Sequence, residues 1–168
     1  MIVGILGTTH SCVVCSRITS LIGLPSWQKT VEPIRAPEWE LENLDGKTVE
    51  SSHFKGKVIV LNCWMTSCPP CIAEIPEFVQ LQKKYESRNV TVLGMLMSHR
   101  DFDELKSFMK ELGINYPVLI CDEEFLGNTW GVQMFPTTFI INRKGNIASV
   151  YSGSMTFEEL EEEIQPLL

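Results

Sequence analysis

The chain has 168 residues, 44% of them hydrophobic and 21% charged, a composition that suits one globular domain with its own core. Its formal net charge of -7 argues against nucleic acid or an anionic membrane surface as the main partner. Six cysteines are too few, at this length, for a protein held together mainly by disulfides. No apolar run in the sequence is long enough to span a bilayer.

The first 30 residues differ from the rest. Met1 to Gly7 is a short apolar run without a Lys or Arg ahead of it, whereas a secretory signal usually has a basic start and a longer apolar stretch. We predict residues 1–30 to be a leader or arm (a degenerate signal, an anchor or a loosely attached segment) and residues 31–168 to be the folded domain. Cys12 and Cys15 lie in this leader. Alternatively, Cys12 and Cys15 form half of a zinc site or an accessory redox pair, but no second cysteine pair lies at a zinc-finger spacing from them.

The domain opens with a hairpin signal and a buried strand. Apolar residues flank Asp45-Gly46, a turn pair typical of hairpins, and predict a small β-hairpin within Ala36–Ser52 that covers one end of the sheet. The β-branched run Val58–Leu61 then predicts a central strand. Cys63 and Cys121 stand alone in apolar runs and are interpreted as core filling.

Cys68-Pro69-Pro70-Cys71 follows this strand directly. Proline is tolerated in the first turn of a helix, so the motif predicts a helix start, with the helix reaching about Arg88. A helix N-terminus favours an anion, and cysteines placed there can have their pKa lowered from about 8.5 to about 3.5–7.5. A structural disulfide or a metal site is the alternative, but a second ligand pair is missing. The arrangement therefore indicates thiol–disulfide chemistry.

The rest of the chain alternates strands and helices. We predict a parallel strand at Val90–Met97, a helix capped by Asp101 at Asp101–Gly113, and a short strand at Pro117–Cys121. A short helix follows at Glu123–Trp130, and then a hairpin formed by Thr137–Asn142 and Ile147–Tyr151. The last helix begins at Thr156 with a Thr-x-x-Glu capping box. This order predicts an α/β, thioredoxin-like fold, a central mixed sheet flanked by helices with an added N-terminal hairpin.

Six segments carry a family resemblance: Ala36-Pro37-Glu38-Trp39-Glu40-Leu41, Leu44-Asp45-Gly46-Lys47, Phe54-Lys55-Gly56-Lys57, Leu61-Asn62-Cys63-Trp64, Cys68-Pro69-Pro70-Cys71-Ile72-Ala73-Glu74-Ile75-Pro76, and Gly131-Val132 ahead of Phe135-Pro136-Thr137-Thr138-Phe139-Ile140-Ile141-Asn142. Together they resemble the thioredoxin superfamily, and more narrowly the TlpA/ResA-like thiol–disulfide oxidoreductases. The match runs from about Ala36 to the C-terminus. Cys63 and Met65 depart from the family, which more often has an aromatic and a small residue there.

The resemblance implies roles for the site. Cys68 would be the exposed nucleophile and Cys71 the buried resolving thiol. Pro136 would be a cis proline facing the disulfide, with the backbone of Phe135 able to pair with a substrate strand. Phe135 is bulkier than the usual residue at its position, which would narrow the choice of substrate.

Glu74 has two readings. Its spacing puts it one turn beyond Cys71, where a buried carboxylate could take the proton of the attacking thiol. The alternative is an ordinary surface residue on a helix that also carries Glu77. The resemblance favours the first reading, because it implies that Glu74 is the buried acid of the family. We expect Asn62 to be structural, which leaves Glu74 as the better proton acceptor.

The remaining expectations concern substrate and partners. Trp64, Pro69 and Pro70 are predicted, with Phe135 and Pro136, to form the rim that binds a disulfide-containing protein substrate. We expect no cofactor beyond the Cys68–Cys71 disulfide, no bound metal and a monomer, recharged by a membrane or soluble thiol donor. The resemblance suggests an extracytoplasmic reductant of apocytochrome c or another protein with a cysteine pair; a cytoplasmic location is the alternative.

Two functions other than disulfide reduction are alternatives for this sequence. One is a copper chaperone of the Sco type with His99 as a ligand, although that family has three residues between its cysteines. The other is a peroxiredoxin-like thiol peroxidase, in which Cys71 would be surplus.

Overall fold

The computed structural model describes residues 33–98 and 101–168. The strands in chain order are β1 Glu40–Asn43, β2 Thr48–Glu50, β3 Val58–Met65, β4 Val90–Met97, β5 Val118–Cys121, β6 Thr137–Ile141 and β7 Ile147–Ser152. The helices are α1 Pro69–Tyr85, α2 Phe102–Glu111, α3 Glu123–Trp130 and α4 Phe157–Ile164. The predicted leader at residues 1–30, with Cys12 and Cys15, and His99 lie outside the described residues. The boundary between leader and domain therefore stays a prediction.

The strands form one seven-stranded mixed sheet in the order β2-β1-β5-β4-β3-β6-β7. The pairs β3–β4 and β4–β5 are parallel, whereas β6 pairs antiparallel with β3 and β7 antiparallel with β6. This is the thioredoxin-like arrangement predicted from the element order. The predicted N-terminal hairpin is present as β1 and β2. Its place differs from the prediction: instead of covering one end of the sheet, β1 pairs antiparallel with β5 and extends the sheet at its edge.

Strand β3 lies inside the sheet, between β4 and β6, and most of its buried side chains are apolar on both faces. Val58, Val60 and Trp64 pack on the face covered by α1 and α4, and Ile59, Leu61 and Cys63 pack on the opposite face. Each fully buried Leu or Phe side chain contributes about 1.5–3 kcal/mol from apolar burial alone. The position of β3 fixes the helix start that follows it.

Helix α1 runs without interruption from Pro69 to Tyr85, and a 3-10 turn then continues to Arg88, where the sequence predicted the helix to end. Asn89, in the left-handed region at φ 58°, leads the chain from this turn into β4. Helices α2 and α4 begin at the predicted caps. Asp101 accepts a hydrogen bond from the Asp103 N–H, and a capping box joins Thr156 and Glu159.

Candidate redox site

Cys68 and Cys71 form a disulfide, with their Cα atoms 5.3 Å apart. Cys68 is the N-cap of α1, and its Sγ accepts a hydrogen bond from the Cys71 N–H at 3.3 Å. The intervening Pro69 and Pro70 are exposed in the first turn, where a missing N–H leaves no helical hydrogen bond unmade. The sulfur pair therefore lies at the positive end of the helix dipole, which favours a thiolate on reduction.

The two cysteines differ in access to solvent. Cys68 keeps 7% of its surface exposed and Cys71 none, so a substrate can approach only Cys68. The asymmetry agrees with the unequal roles that the family resemblance implies for the pair.

The Phe135–Pro136 peptide bond is cis, as the resemblance implies. Because β3 and β6 are antiparallel with Cys63 opposite Thr137, the end of β3 and the start of β6 meet at the same end of the sheet. Cys68 follows the end of β3, and Pro136 precedes the start of β6. Phe135 is half-buried and packs on both hydrophobic clusters, whereas Pro136 is buried.

Glu74 lies inside α1's buried face, with 3% of its surface exposed. The alternative reading, an ordinary surface carboxylate, is therefore wrong. Its Oε1 accepts a hydrogen bond from Asn62 Nδ2 at 2.9 Å, and its Oε2 accepts one from the Met155 N–H at 3.1 Å. Burial raises the pKa of Glu74 to about 7, and the hydrogen bonds from Met155 and Asn62 oppose that rise in part.

Asn62 is more than the structural residue that the sequence suggested. Its side-chain amide donates to Glu74 and also to Thr138 Oγ1 at 3.1 Å, and so connects α1, β3 and β6. Thr138 lies directly opposite Asn62 in the sheet register. No local pattern predicts this pair, because the two residues are 76 positions apart.

Three consecutive residues after β7 each contact a different part of the site. The Gly153 N–H donates to Pro136 O at 2.9 Å, Ser154 Oγ donates to Pro70 O at 3.3 Å, and the Met155 N–H donates to Glu74. We call Gly153–Met155 the bridging loop. It connects the cis-proline loop, the first turn of α1 and the buried carboxylate. Sequence analysis missed it, since two of its three donors are backbone N–H groups that carry no residue signature.

Trp64 does not lie at the rim, and that prediction is wrong. Its side chain is completely buried, because position 64 of β3 faces the cluster under α1 that also contains both sulfurs. Trp64 is therefore a core residue of the cluster to which Cys68 and Cys71 also belong. Near the cis-proline loop, the exposed apolar surface comes instead from Met134, which is 56% exposed and was not predicted.

The two other described cysteines are free thiols in the core, as predicted. Cys63 and Cys121 belong to the cluster on the opposite face of the sheet from Trp64. Burial raises the pKa of both, that of Cys121 to about 12.

Within residues 33–98 and 101–168, no three His, Cys, Asp or Glu side chains lie together as metal ligands would. Over the same residues, no helix is long and apolar enough to cross a membrane.

Comparison with known proteins agrees with this geometry. Residues 33–164 match the family model described as Redoxin. The chain is 35% identical over 121 residues to the thiol-disulfide oxidoreductase ResA of Bacillus subtilis, covering 72% of this chain and 67% of that protein. It is 33% identical over 132 residues to the ResA of a Bacillus thuringiensis strain, covering 79% and 76%.

A solved structure shows the same arrangement at similar identity. A thiol:disulfide interchange protein of the thioredoxin family from Chlorobium tepidum aligns with a TM-score of 0.72 and 33% identity, over 82% of this chain and 98% of that one. Together with the disulfide at a helix start and the buried carboxylate one turn beyond it, these matches settle the family. The chain belongs to the Redoxin family and is a thiol–disulfide oxidoreductase similar to ResA.

Proposed function

We propose that the protein reduces disulfides of protein substrates, with Cys68 as nucleophile, Cys71 as resolving thiol and Glu74 as the proton acceptor of Cys71. The observation that carries this proposal is the unequal environment of the two sulfurs. One is the N-cap of α1 and retains solvent access, while the other is fully buried one turn before a carboxylate whose pKa is about 7.

In the first step, the Cys68 thiolate attacks one sulfur of the substrate disulfide. A mixed disulfide forms, the substrate S–S bond breaks, and the second substrate sulfur leaves as a thiolate that takes a proton from solvent. The N-terminus of α1 stabilises the attacking thiolate. Exposed Pro69 and Pro70 leave the approach to Cys68 open.

In the second step, Cys71 attacks the mixed disulfide. Burial disfavours its thiolate, so it needs a base that takes the Sγ proton as the new bond to Cys68 forms. A carboxylate with a pKa of about 7 is ionised in a substantial fraction at neutral pH and is a strong enough base to accept that proton. The Cys68–Cys71 disulfide forms, and the first substrate sulfur leaves as a thiolate.

We further propose an extracytoplasmic location for this protein. A putative thiol:disulfide interchange protein DsbE from Chlorobium tepidum aligns with a TM-score of 0.73 at 26% identity, over 80% of this chain and 96% of that one. An exposed lipoprotein thioredoxin of Streptococcus pneumoniae aligns at 0.66 and 27%, over 77% and 99%. The second name, an exposed lipoprotein, supports the extracytoplasmic location that we propose. The membrane or soluble thiol donor that recharges the pair, and apocytochrome c as a candidate substrate, are proposed from the resemblance to TlpA/ResA-like proteins alone.

Trapping tests the assignment of the two cysteines. Cys71→Ser is expected to accumulate mixed disulfides with protein substrates, because Cys68 still attacks and nothing resolves the product. Cys68→Ser is expected to accumulate none and to lose reductase activity. Non-reducing electrophoresis and mass spectrometry identify the trapped species. Equal trapping by the two variants would contradict the roles proposed here.

The same preparation separates this function from the two other candidates. Turnover of hydrogen peroxide that survives Cys71→Ser would support a thiol peroxidase. Stoichiometric Cu(I) binding that requires both Cys68 and Cys71, without disulfide reductase activity, would support a copper chaperone. We expect neither, and the reduction potential of the pair, measured against a thiol buffer, fixes the direction of electron flow.

A further inference from the structure

A cavity lies far from the disulfide. It has a volume of about 310 Å³ and opens beside Lys57, which immediately precedes β3, and Ile141, the last residue of the antiparallel β6. Cys68 follows the other end of β3. Eight residues of strand at about 3.3 Å each separate the two ends. A molecule bound in this cavity would leave the sulfur pair open to its substrates.

The cavity concentrates positive charge. Five of the chain's 14 Lys and Arg residues line it, together with a single acidic residue, Glu38, although the whole chain carries -7. The five cations are Arg35, Lys55, Lys57, Arg143 and Lys144. Within residues 33–98 and 101–168, the ion pairs are formed by Lys84 and Lys106, so none of the five has a carboxylate partner. The cavity therefore attracts anions against the charge of the whole protein.

Two of these charges are held in place by backbone carbonyls. The guanidinium of Arg143 donates to Gly56 O, Arg88 O and Leu167 O, each at 3.2 Å, from three separate segments. Arg35 Nη1 donates to Lys144 O across the β6–β7 hairpin. Carbonyls orient a guanidinium without neutralising it. The fold therefore orders these two cations before a ligand binds, which lowers the entropic cost of binding.

The floor of the cavity is apolar and aromatic. Trp39 and Phe54 form a tilted pair with ring centroids 5.6 Å apart, and Ile59 and Ile141 lie beside them. Lys57 Nζ lies 5.8 Å from the centre of the Phe54 ring. A cation-lined mouth over an aromatic floor complements a molecule with an anionic end and an apolar body.

We propose that this cavity, which we call the basic cavity, binds a small phosphate-bearing molecule with an apolar body. Phosphate fits better than a single carboxylate, since its oxygens can engage several cations at once. The same chemistry has two sources, a soluble phosphate ester and the headgroup of an anionic phospholipid. The proposal is independent of the direction in which the disulfide exchanges electrons.

The test uses the full chain and two probes. Phenyl phosphate represents a soluble ester, and vesicles of phosphatidylglycerol, with phosphatidylcholine vesicles as reference, represent a headgroup. Binding of phenyl phosphate is followed by the indole N–H signal of Trp39 in heteronuclear NMR, and binding to vesicles by co-sedimentation. The cavity variant is Lys55→Glu, Lys57→Glu and Lys144→Glu together. A matched control changes charge equally elsewhere, with Lys47→Glu, Lys83→Glu and Lys110→Glu.

We expect saturable binding of one probe, weakened at least about tenfold in the cavity variant and changed much less in the control. Both variants are expected to keep disulfide reductase activity, which shows that they fold. Binding of phenyl phosphate identifies a soluble ester, and binding of phosphatidylglycerol vesicles alone identifies a headgroup. Absence of saturable binding to either probe, or equal weakening in the two variants, would overturn the proposal.

Discussion

The protein holds two kinds of cysteine only a few residues apart, and their surroundings separate them. Cys68 and Cys71 lie at the start of α1, where Cys68 retains some exposure to solvent and a buried carboxylate lies one turn on. Cys63, five positions before Cys68, lies in the middle of the sheet on its other face, in a cluster that also holds Cys121. The first pair has a backbone N–H donor at Cys68 and a carboxylate one turn along the same helix, whereas Cys63 and Cys121 lie among apolar side chains. Position in the fold, rather than residue type, decides which thiols react.

Alkylation of the reduced protein tests this contrast most directly, and here we expect the largest effect. Because the pKa of Cys121 is about 12, only about one molecule in a hundred thousand carries its thiolate at pH 7. Iodoacetamide should therefore label Cys68 at least about a thousandfold faster than Cys63 or Cys121. Peptide mapping by mass spectrometry gives the rates, in a chain with Cys12 and Cys15 changed to Ser, which we expect to leave activity unchanged. Comparable rates would mean that the two environments do not differ in solution.

The Glu74→Gln substitution removes the proposed base from the reactive pair and leaves both of its cysteines in place. We expect the resolving step to slow by about a hundredfold at pH 7, and its pH profile to lose the step near pH 7, because the amide cannot accept the Cys71 proton. Attack by Cys68 should be unchanged. Stopped-flow reduction of a model disulfide across pH measures both steps. Glu77→Gln, on the same helix, is the matched control, and profiles that superimpose on the wild type would make Glu74 a structural carboxylate.

The same carboxylate predicts how stability depends on pH. Folding raises the pKa of Glu74 from an ordinary value of 4.5 to about 7, so the folded state binds the proton more tightly than the unfolded state. This stabilisation is complete below about pH 4.5 and is lost as pH rises through 7, with a loss of about 3 kcal/mol. Urea unfolding of the oxidised protein at several pH values should show this fall between pH 5 and 8. A Glu74→Gln protein should show a flatter dependence, and an equal slope in both would rule out Glu74 as its source.

The smallest effect is expected for Cys63 and Cys121, the two cysteines buried in the core. Cys63→Ala and Cys121→Ala each remove a buried sulfur from a packed cluster and should lower the free energy of unfolding by about 1–2 kcal/mol. Activity should stay within about twofold of the wild type. Denaturant titration and a disulfide reductase assay measure the two effects. A large loss of activity without a loss of stability would show that these thiols take part in the redox cycle.

Much of the fold was predictable because local signals agreed with the global arrangement. The apolar run of β3, the prolines of the motif, the Asp101 and Thr156 caps and the Asp45-Gly46 turn each act within a few residues, and the structure contains the element that each predicted. The hairpin's place at the sheet edge was not predictable, because it depends on β1 pairing with β5, almost 80 positions later.

The site divides in the same way. The sequence alone determined where the reactive pair lies, because a strand end, two prolines and a Cys-x-x-Cys spacing are local features. Only the tertiary structure decided that Glu74 is buried, that Asn62 and Met155 donate to it, and that Trp64 is buried in the core instead of lying at the rim. Each of those facts depends on which face of a strand or helix is covered by an element distant in the chain. Desolvation and hydrogen bonding, the forces that set the pKa of Glu74, act between such elements and leave no pattern in the local sequence.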